Sequence, residues 1–385
     1  MTLPDERTVS PLVTAAAAAA PLAARYAREA DTERRLSRPV VEALIEAGFT
    51  SHFAPREAGS VAGGFADLLA AVAVLGEGCT SAAWCASVTA SAGRLTAYLP
   101  PAGREAVWEK GPQTVVSAGL IPAGSAERVP GGWLVSGTWP YVSAVDFSDW
   151  TLVAARVPGG EDVAPAVRVL AVPSADLAVE DTWRTAGLRG TGSNSAVLDR
   201  VLVPEERSVP LEVLLDGTAR DSPACCHRVP LKAGNGLTLA APLLGAARGA
   251  LTRWRELVDG RLGAAGGGIT AAPEAGPFEQ QLARAEGEID AAGLLLERVA
   301  RSVDAGARSA LGSARNGRDC ALAADMLAAT VDRLLRTAGT RAQAEEEGLL
   351  RRWRDVSGGA GHSGLQFATA AGAYARLLGG APSAA

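Results

Sequence analysis

The feature that most constrains this chain is a change of period that happens twice. From residue 7 to about 110 the apolar residues recur at helical spacing, through PLVTAAAAAAPLAARYAREADTERR, SRPVVEALIEAGF, FADLLAAVAVLGEG and TSAAWCASVTASAGRLTAYLP. Ser37 is a plausible N-cap for the second of these helices and Gly48 a plausible stop. At Gly111-Pro112 the helical period ends. Short runs rich in Val and Leu take over, TVVSAG, AERVPGGWLVSGTW, DWTLVAARV, VRVLAVP and NSAVLDRVLVP, divided by Pro/Gly turns, with VPGGW as a hairpin signal. After VPEERSVP helix returns for good in GLTLAAPLLGAARGALTRWRELVDG, FEQQLARAEGEIDAAGLLLERVARSVDAG, ARNGRDCALAADMLAATVDRLLRTAGT and a last stretch from Ser363, all of bundle length. The predicted fold class is therefore α+β and multidomain: an N-terminal helical domain (1–112), a middle β-barrel or sandwich domain (113–208) and a C-terminal four-helix bundle domain (209–385).

At 385 residues and 48% hydrophobic content, such a chain can bury a large core. A formal net charge of -5 leaves no basic surplus for phosphates, which argues against nucleic acid as a partner. VTAAAAAAPLAA could pass for the apolar part of a secretion signal, but Asp5 and Glu6 stand where a signal carries positive charge, so a helix is expected. With no apolar run of bilayer length, no membrane partner and a cytoplasmic location are expected. Five scattered cysteines without a CxxC point to neither a disulfide framework nor a zinc site, and the CCH at 225–227 is read as loop or packing. No metal is expected.

Three segments carry candidate chemistry. GLRGTGSN (187–194) is glycine-rich, but its spacing is GxxGxG, a strand follows it and the GK pair is missing, so it reads as a turn rather than a phosphate loop. GTWPYVSAVDFSDW (137–150) crowds Trp139, Tyr141, Phe147 and Trp150 around Ser143, a serine with neither a GxSxG elbow nor a local base, which supports a hydrolase only weakly. His362 is one of three histidines and sits in RDVSGGAGHSGLQF, a glycine-rich break between helical stretches. From there an imidazole can approach a ligand and titrate near neutral pH, or simply be solvated. His52 reads as a packing residue, and His227 has no constellation.

The domain order resembles the acyl-CoA dehydrogenase superfamily, and two segments carry the specific part of the likeness. GGWLVSGTWPYVSAVDFSDWTLVAARV is similar to the strand pair that passes the flavin, with Tyr141 and Ser143 at the positions of that family's tryptophan and flavin-contacting threonine or serine. WRTAGLRGTGSNSAVLDRVLVPEE is similar to the family's second middle-domain signature. The tail GGAGHSGLQF offers no glutamate like that of the dehydrogenases' YEGTNEI segment, and no RQxFG-like segment is present. Both departures resemble the two-component flavin-dependent monooxygenase branch (group D), as do WPYVSA, Arg354-Asp355 followed by His362, and TSAAWCAS with Trp84.

That resemblance implies Ser143 and His362 as catalytic residues, Ser117, Tyr141, Val142, Ser143, Trp183 and Arg189 as flavin-binding residues, and Trp84 in the substrate pocket. The implied cofactor is reduced flavin, FMN or FAD, from a separate flavin reductase, with O2 as co-substrate. The implied chemistry is a C4a-(hydro)peroxyflavin that oxidises a small molecule, with Ser143 at the N5/C4a side of the ring and His362 bonding the peroxide or serving as a base. Some aromatic hydroxylases of the branch carry a further histidine after the tryptophan, where SVTASAGRL has none. A homotetramer, or a homodimer, is the implied assembly. The Ala, Arg and Gly bias suggests bacterial specialised-metabolite, for example antibiotic, biosynthesis. Two alternatives remain at this level: an FAD-dependent acyl-CoA or acyl-carrier dehydrogenase with a loop base such as Glu274, and a flavin-free binding or cyclising protein.

Overall fold

A computed structural model describes residues 10–60, 62–159, 165–219, 221–262, 275–306 and 308–379. The alanine-rich run forms α1 (Pro11–Glu33), where Ala16, Ala19, Ala23, Ala27 and Ala30 recur at three- and four-residue intervals and are all buried. α2 (Arg38–Glu46), α3 (Phe65–Gly78), α4 (Thr80–Leu95) and α5 (Pro101–Val107) complete the first helical layer. Ser37 does stand at the N-cap position of α2, but its hydroxyl makes no capping bond. Gly48 follows the end of α2 with φ 90°, the left-handed geometry that stops a helix.

The middle of the chain forms one seven-stranded sheet in the order β5-β6-β2-β1-β3-β4-β7. Its strands are β1 (Val116–Val129), β2 (Gly132–Val142), β3 (Trp150–Val157), β4 (Ala166–Pro173), β5 (Ala178–Glu180), β6 (Asn194–Pro204) and β7 (Ser208–Pro210). Among the described residues only β1 and β3 pair in parallel. Alternation sorts the side chains into two cores. Leu152, Ala154, Val169 and Ala171 face helical residues such as Leu95 and Val107, while Val153, Ala155, Leu170 and Val172 surround Trp139. Trp139 is fully buried and its Nε1 donates to the Ala154 carbonyl at 2.6 Å. A Cβ on Gly124 would lie 2.2 Å from the Trp139 ring, so β1 needs glycine there. The register of β1 on β3 shifts between Gly119 and Gly124. β4 and β6 approach each other although three strands separate them in the sheet, so the sheet curls over Trp139 in the manner of a barrel.

Helices then return as α6 (Leu211–Asp216), α7 (Leu231–Leu262), α8 (Ala275–Asp304), α9 (Ala310–Ala338), α10 (Leu349–Ala360) and α11 (Phe367–Leu378). α7 packs against α3, α4, α8, α9 and α10, and one continuous core joins the first helical layer to the bundle. The last part of the bundle differs from the expectation of a single helix from Ser363. α10 runs through Gly358 and Gly359, which read as a break, and α11 begins only at Phe367. The reason is close packing: a Cβ on Gly359 would sit 2.5 Å from Leu243 Cδ2 and 3.4 Å from the Trp84 ring.

Candidate active site

The site begins where β2 ends. Tyr141 and Ala144 both have φ 65°, a left-handed conformation that costs energy for residues with a Cβ, and they flank Val142 and Ser143. Between Trp139 and Val142 the pairing of β2 with β6 also shifts. This double twist leaves the Val142 side chain buried and Tyr141 66% exposed, with its ring edge-on to Trp183 at 6.1 Å.

Two segments bond the Ser143 hydroxyl, and a third packs beside one of them. Trp84, from α4, donates from Nε1 to Ser143 Oγ at 3.1 Å. The glycine-rich 187–194 segment forms a tight turn, with Leu188 and Gly192 both at φ 53° around a 3₁₀ turn over Arg189–Thr191, and then enters β6; it offers no helix N-terminus. This turn brings Ser193 Oγ to 2.7 Å from Ser143 Oγ and Thr191 Oγ1 to 2.6 Å from Ser193 Oγ. It is fixed in place by the Ala144 N–H, which donates to the Thr191 carbonyl at 3.0 Å. From the break between α10 and α11, His362 sets its ring 5.9 Å from the Trp84 ring, centroid to centroid.

His362 Nδ1 accepts from the Gly364 N–H at 3.0 Å, so the neutral ring carries its hydrogen on Nε2. Its residue is exposed in the single chain, yet desolvation by the protein walls holds its pKa below the ordinary histidine value. The Gly364 bond acts in the same direction, because it is made only to the neutral ring.

The turn and the end of α10 are locked together. Asp355 is buried and accepts from the Leu188 N–H at 2.7 Å; burial pushes its pKa up to about 6, against the pull of that N–H and of Arg351. Its neighbour Arg354 donates to Asp31 of α1 at 2.5 Å, and Arg189 Nε donates to the Asp31 carbonyl at 2.8 Å. A Cβ on Gly187 would lie 1.9 Å from the Arg354 carbonyl oxygen, so only glycine allows the approach.

The structure therefore brings Trp84, Ser143 and His362 together from the first helical layer, the sheet and the bundle. Arg189 lies on that turn, engaged by Asp31, and Trp183 precedes it and ties to it through Nε1, which donates to the Leu188 carbonyl at 2.8 Å. Val142 can face the site only through its backbone. The Ser117 hydroxyl is buried in a separate group, 3.1 Å from Ser148 Oγ and 2.9 Å from Thr151 Oγ1. His52 bonds the Gly64 carbonyl, and His227 is held between Ser222 Oγ and the Phe53 carbonyl, both buried as packing residues. Glu274 lies outside the described residues. Among the described residues no group of three His, Cys, Asp or Glu is placed to hold a metal. Sequence reasoning missed Thr191 and Ser193, whose signal is the cluster of hydroxyls in GTGSNS directly after the glycines. A surface hollow of about 330 Å³ beside Glu42, Lys110 and Asp149 contains none of these residues. The convergent polar groups, not that hollow, mark the site.

Residues 237–367 match the family described as acyl-CoA dehydrogenase, C-terminal domain. The oxygenase component of FADH2-dependent resorcinol hydroxylase from Rhizobium sp. (strain MTP-10005) is 33% identical over 301 residues, covering 76% of this chain and 73% of that protein. The crystal structure of 3-HSA hydroxylase from Rhodococcus sp. RHA1 aligns with a TM-score of 0.91 at 27% identity and covers 98% of both chains. XiaF from Streptomyces sp., solved with FADH2 and glycerol, aligns with a TM-score of 0.87 at 27% identity over 97% of this chain and 96% of its own.

Proposed function

The chain belongs to the flavin-dependent monooxygenases built on the acyl-CoA dehydrogenase fold, as an oxygenase component, and on that premise we propose that it uses reduced FMN or FAD from a separate reductase, with O2, to hydroxylate a small aromatic molecule. The observation that carries this reading is Trp84 standing between Ser143, to which its N–H donates, and His362, whose ring lies 5.9 Å from its own. Among the described residues, the groups bonded to these three are hydroxyls, a backbone N–H and rings rather than carboxylates, which together with the oxygenase relatives favours monooxygenation over the dehydrogenase alternative, whose loop base Glu274 lies outside those residues.

The residues fit a flavin. An exposed tyrosine held on a strained backbone supplies an apolar face, and a serine hydroxyl and a histidine N–H supply a few fixed polar contacts for a planar ring with polar edges. When bound, the reduced flavin supplies the two electrons that let one oxygen atom of O2 enter the substrate while the other becomes water. Ser143 would orient the ring at its N5 edge, with Val142 adding backbone and Tyr141, Trp183 and Arg189 the surrounding wall. Ser117, whose hydroxyl is occupied by Ser148 and Thr151, would contribute from the backbone of β1. Trp84 would wall the substrate cavity and exclude water. His362 would donate from Nε2 to a substrate or dioxygen atom and, protonated or neutral, move a proton at that nitrogen.

The further parts of this reading are a role in bacterial specialised metabolism and a homotetramer assembled through the bundle. α11 supports the assembly: none of its residues is buried in the single chain, and Phe367 and Leu378 are exposed. Among the described residues no helix is long and apolar enough to cross a membrane.

The test mixes the protein anaerobically with reduced FMN or FAD and then with oxygenated buffer, following flavin absorbance, hydrogen peroxide and hydroxylated product from a panel of phenols. Delayed return of oxidised-flavin absorbance, with product formed and the delay shortened in Ser143→Ala, supports the proposal. Reoxidation at the rate of free flavin and no product across the panel would refute it.

A further inference from the structure

Behind Ser143 the oxygens form a row. The Leu188 carbonyl oxygen is 2.8 Å from Thr191 Oγ1, Thr191 Oγ1 is 2.6 Å from Ser193 Oγ, and Ser193 Oγ is 2.7 Å from Ser143 Oγ. Two oxygens that close repel unless a hydrogen lies between them, so each of the three gaps needs one. Three hydrogens exist, one per hydroxyl, and the carbonyl contributes none. Only one assignment satisfies the count. Thr191 donates to Leu188, Ser193 donates to Thr191, and Ser143 donates to Ser193. The indole N–H of Trp84 can only donate, and it takes one Ser143 lone pair at 3.1 Å. What Ser143 has left to present to a ligand is a lone pair and no hydrogen.

We propose that Thr191 and Ser193 are positioning residues that hold Ser143 as a hydrogen-bond acceptor and thereby make the site select the reduced state of the flavin. The inference rests on the flavin reading of the site and on Ser143 facing the N5 edge. Reduced flavin bears a hydrogen on N5 and can donate it to Ser143, whereas oxidised flavin has a lone pair on N5, which would meet another lone pair. An unpaired or repulsive buried contact separates the two states more strongly than a good contact alone does. The same row then favours release of spent flavin after turnover, so that fresh reduced flavin can enter.

The test measures dissociation constants for reduced and oxidised FMN, and likewise for FAD, by anaerobic titration calorimetry. The wild type is expected to bind the reduced form more tightly. Ser193→Ala frees the Ser143 hydrogen to meet the oxidised N5, and the ratio of oxidised to reduced dissociation constants should fall by about fivefold or more. Ser193→Thr keeps the hydroxyl and should keep the ratio. Thr191→Val, nearly isosteric in a buried site, is the second route: Ser193 can then turn to Ser143, and the ratio should fall in the same direction. A wild type that prefers reduced flavin, with the ratio unchanged in folded Ser193→Ala and Thr191→Val, overturns the inference while leaving the flavin site standing. Equal wild-type affinity for the two states also overturns it. No binding of either state by the wild type removes the flavin reading and the inference together.

Discussion

Trp84 serves two neighbours at once, its N–H held by Ser143 and its ring set against His362. Trp84→Phe keeps most of the wall and removes the donor. It should fold normally and raise several-fold the fraction of reduced flavin lost as hydrogen peroxide, read by peroxide and product assays on one reaction; unchanged coupling would show that the indole serves as wall alone. His362→Ala should lower hydroxylation by about 10²-fold or more while leaving the thermal transition in place. Its pH dependence has a definite sign. Because the ring's pKa is lowered from 6.5, the neutral Nε2–H form persists below that pH, so an acid limb due to this ring falls below pH 6.5 and is absent from His362→Gln. Ser143, His362 and Trp84 could be named as candidates from the chain because the motifs around them resemble a known family. Thr191 and Ser193 could not, since serine and threonine beside glycines are ordinary turn residues and only the folded turn shows three hydroxyl-bearing side chains in a row. Ser117, a flavin contact by the same resemblance, has its hydroxyl on Ser148 and Thr151, which leaves its backbone for that role.

α10 is the element that joins the bundle to the sheet, through Asp355 on the Leu188 N–H and through Arg354 packed on Gly187. Gly187→Ala would force a Cβ into a backbone carbonyl, so α10 must shift; a loss of about 2–3 kcal/mol in denaturant unfolding is expected, with a greater loss of coupling because His362 moves with the helix. Asp355→Asn can still accept from Leu188 without a buried charge. The wild-type carboxyl, raised from 3.8 to about 6, contributes stability that is full below pH 3.8 and is lost as pH rises through about 6. The asparagine variant should therefore gain melting temperature relative to the wild type as pH rises from 5 to 8; a constant gap would show that Asp355 ionises without cost. The alternation of helix and strand was readable because it is written in local period, whereas α10 was hidden by Gly358 and Gly359. Glycine is a poor helix former in isolation, and here it is required by Leu243 and Trp84, which come from other helices.

Over the whole molecule, one core runs from α1 to α10, so the first helical layer and the bundle should unfold together. His52 and His227 are buried in that structure with pKa values lowered from 6.5 by burial. The unfolded chain takes up their protons at higher pH than the folded one, so their contribution to stability is full above pH 6.5 and declines as pH falls toward their folded values. The melting temperature of His227→Gln should consequently depend less on pH between 7.5 and 5.5 than that of the wild type, after the opposing trend of Asp355 common to both; identical slopes would count against a neutral buried ring. The row of hydroxyls behind Ser143 has one more property. A proton wire needs an exchangeable hydrogen or an ionisable group at its far end, and this one terminates in the peptide carbonyl of Leu188. It conducts nothing. The Ser143 hydroxyl is thus insulated from bulk acid along this row, and a proton taken up or given off beside it needs a route that the row does not supply.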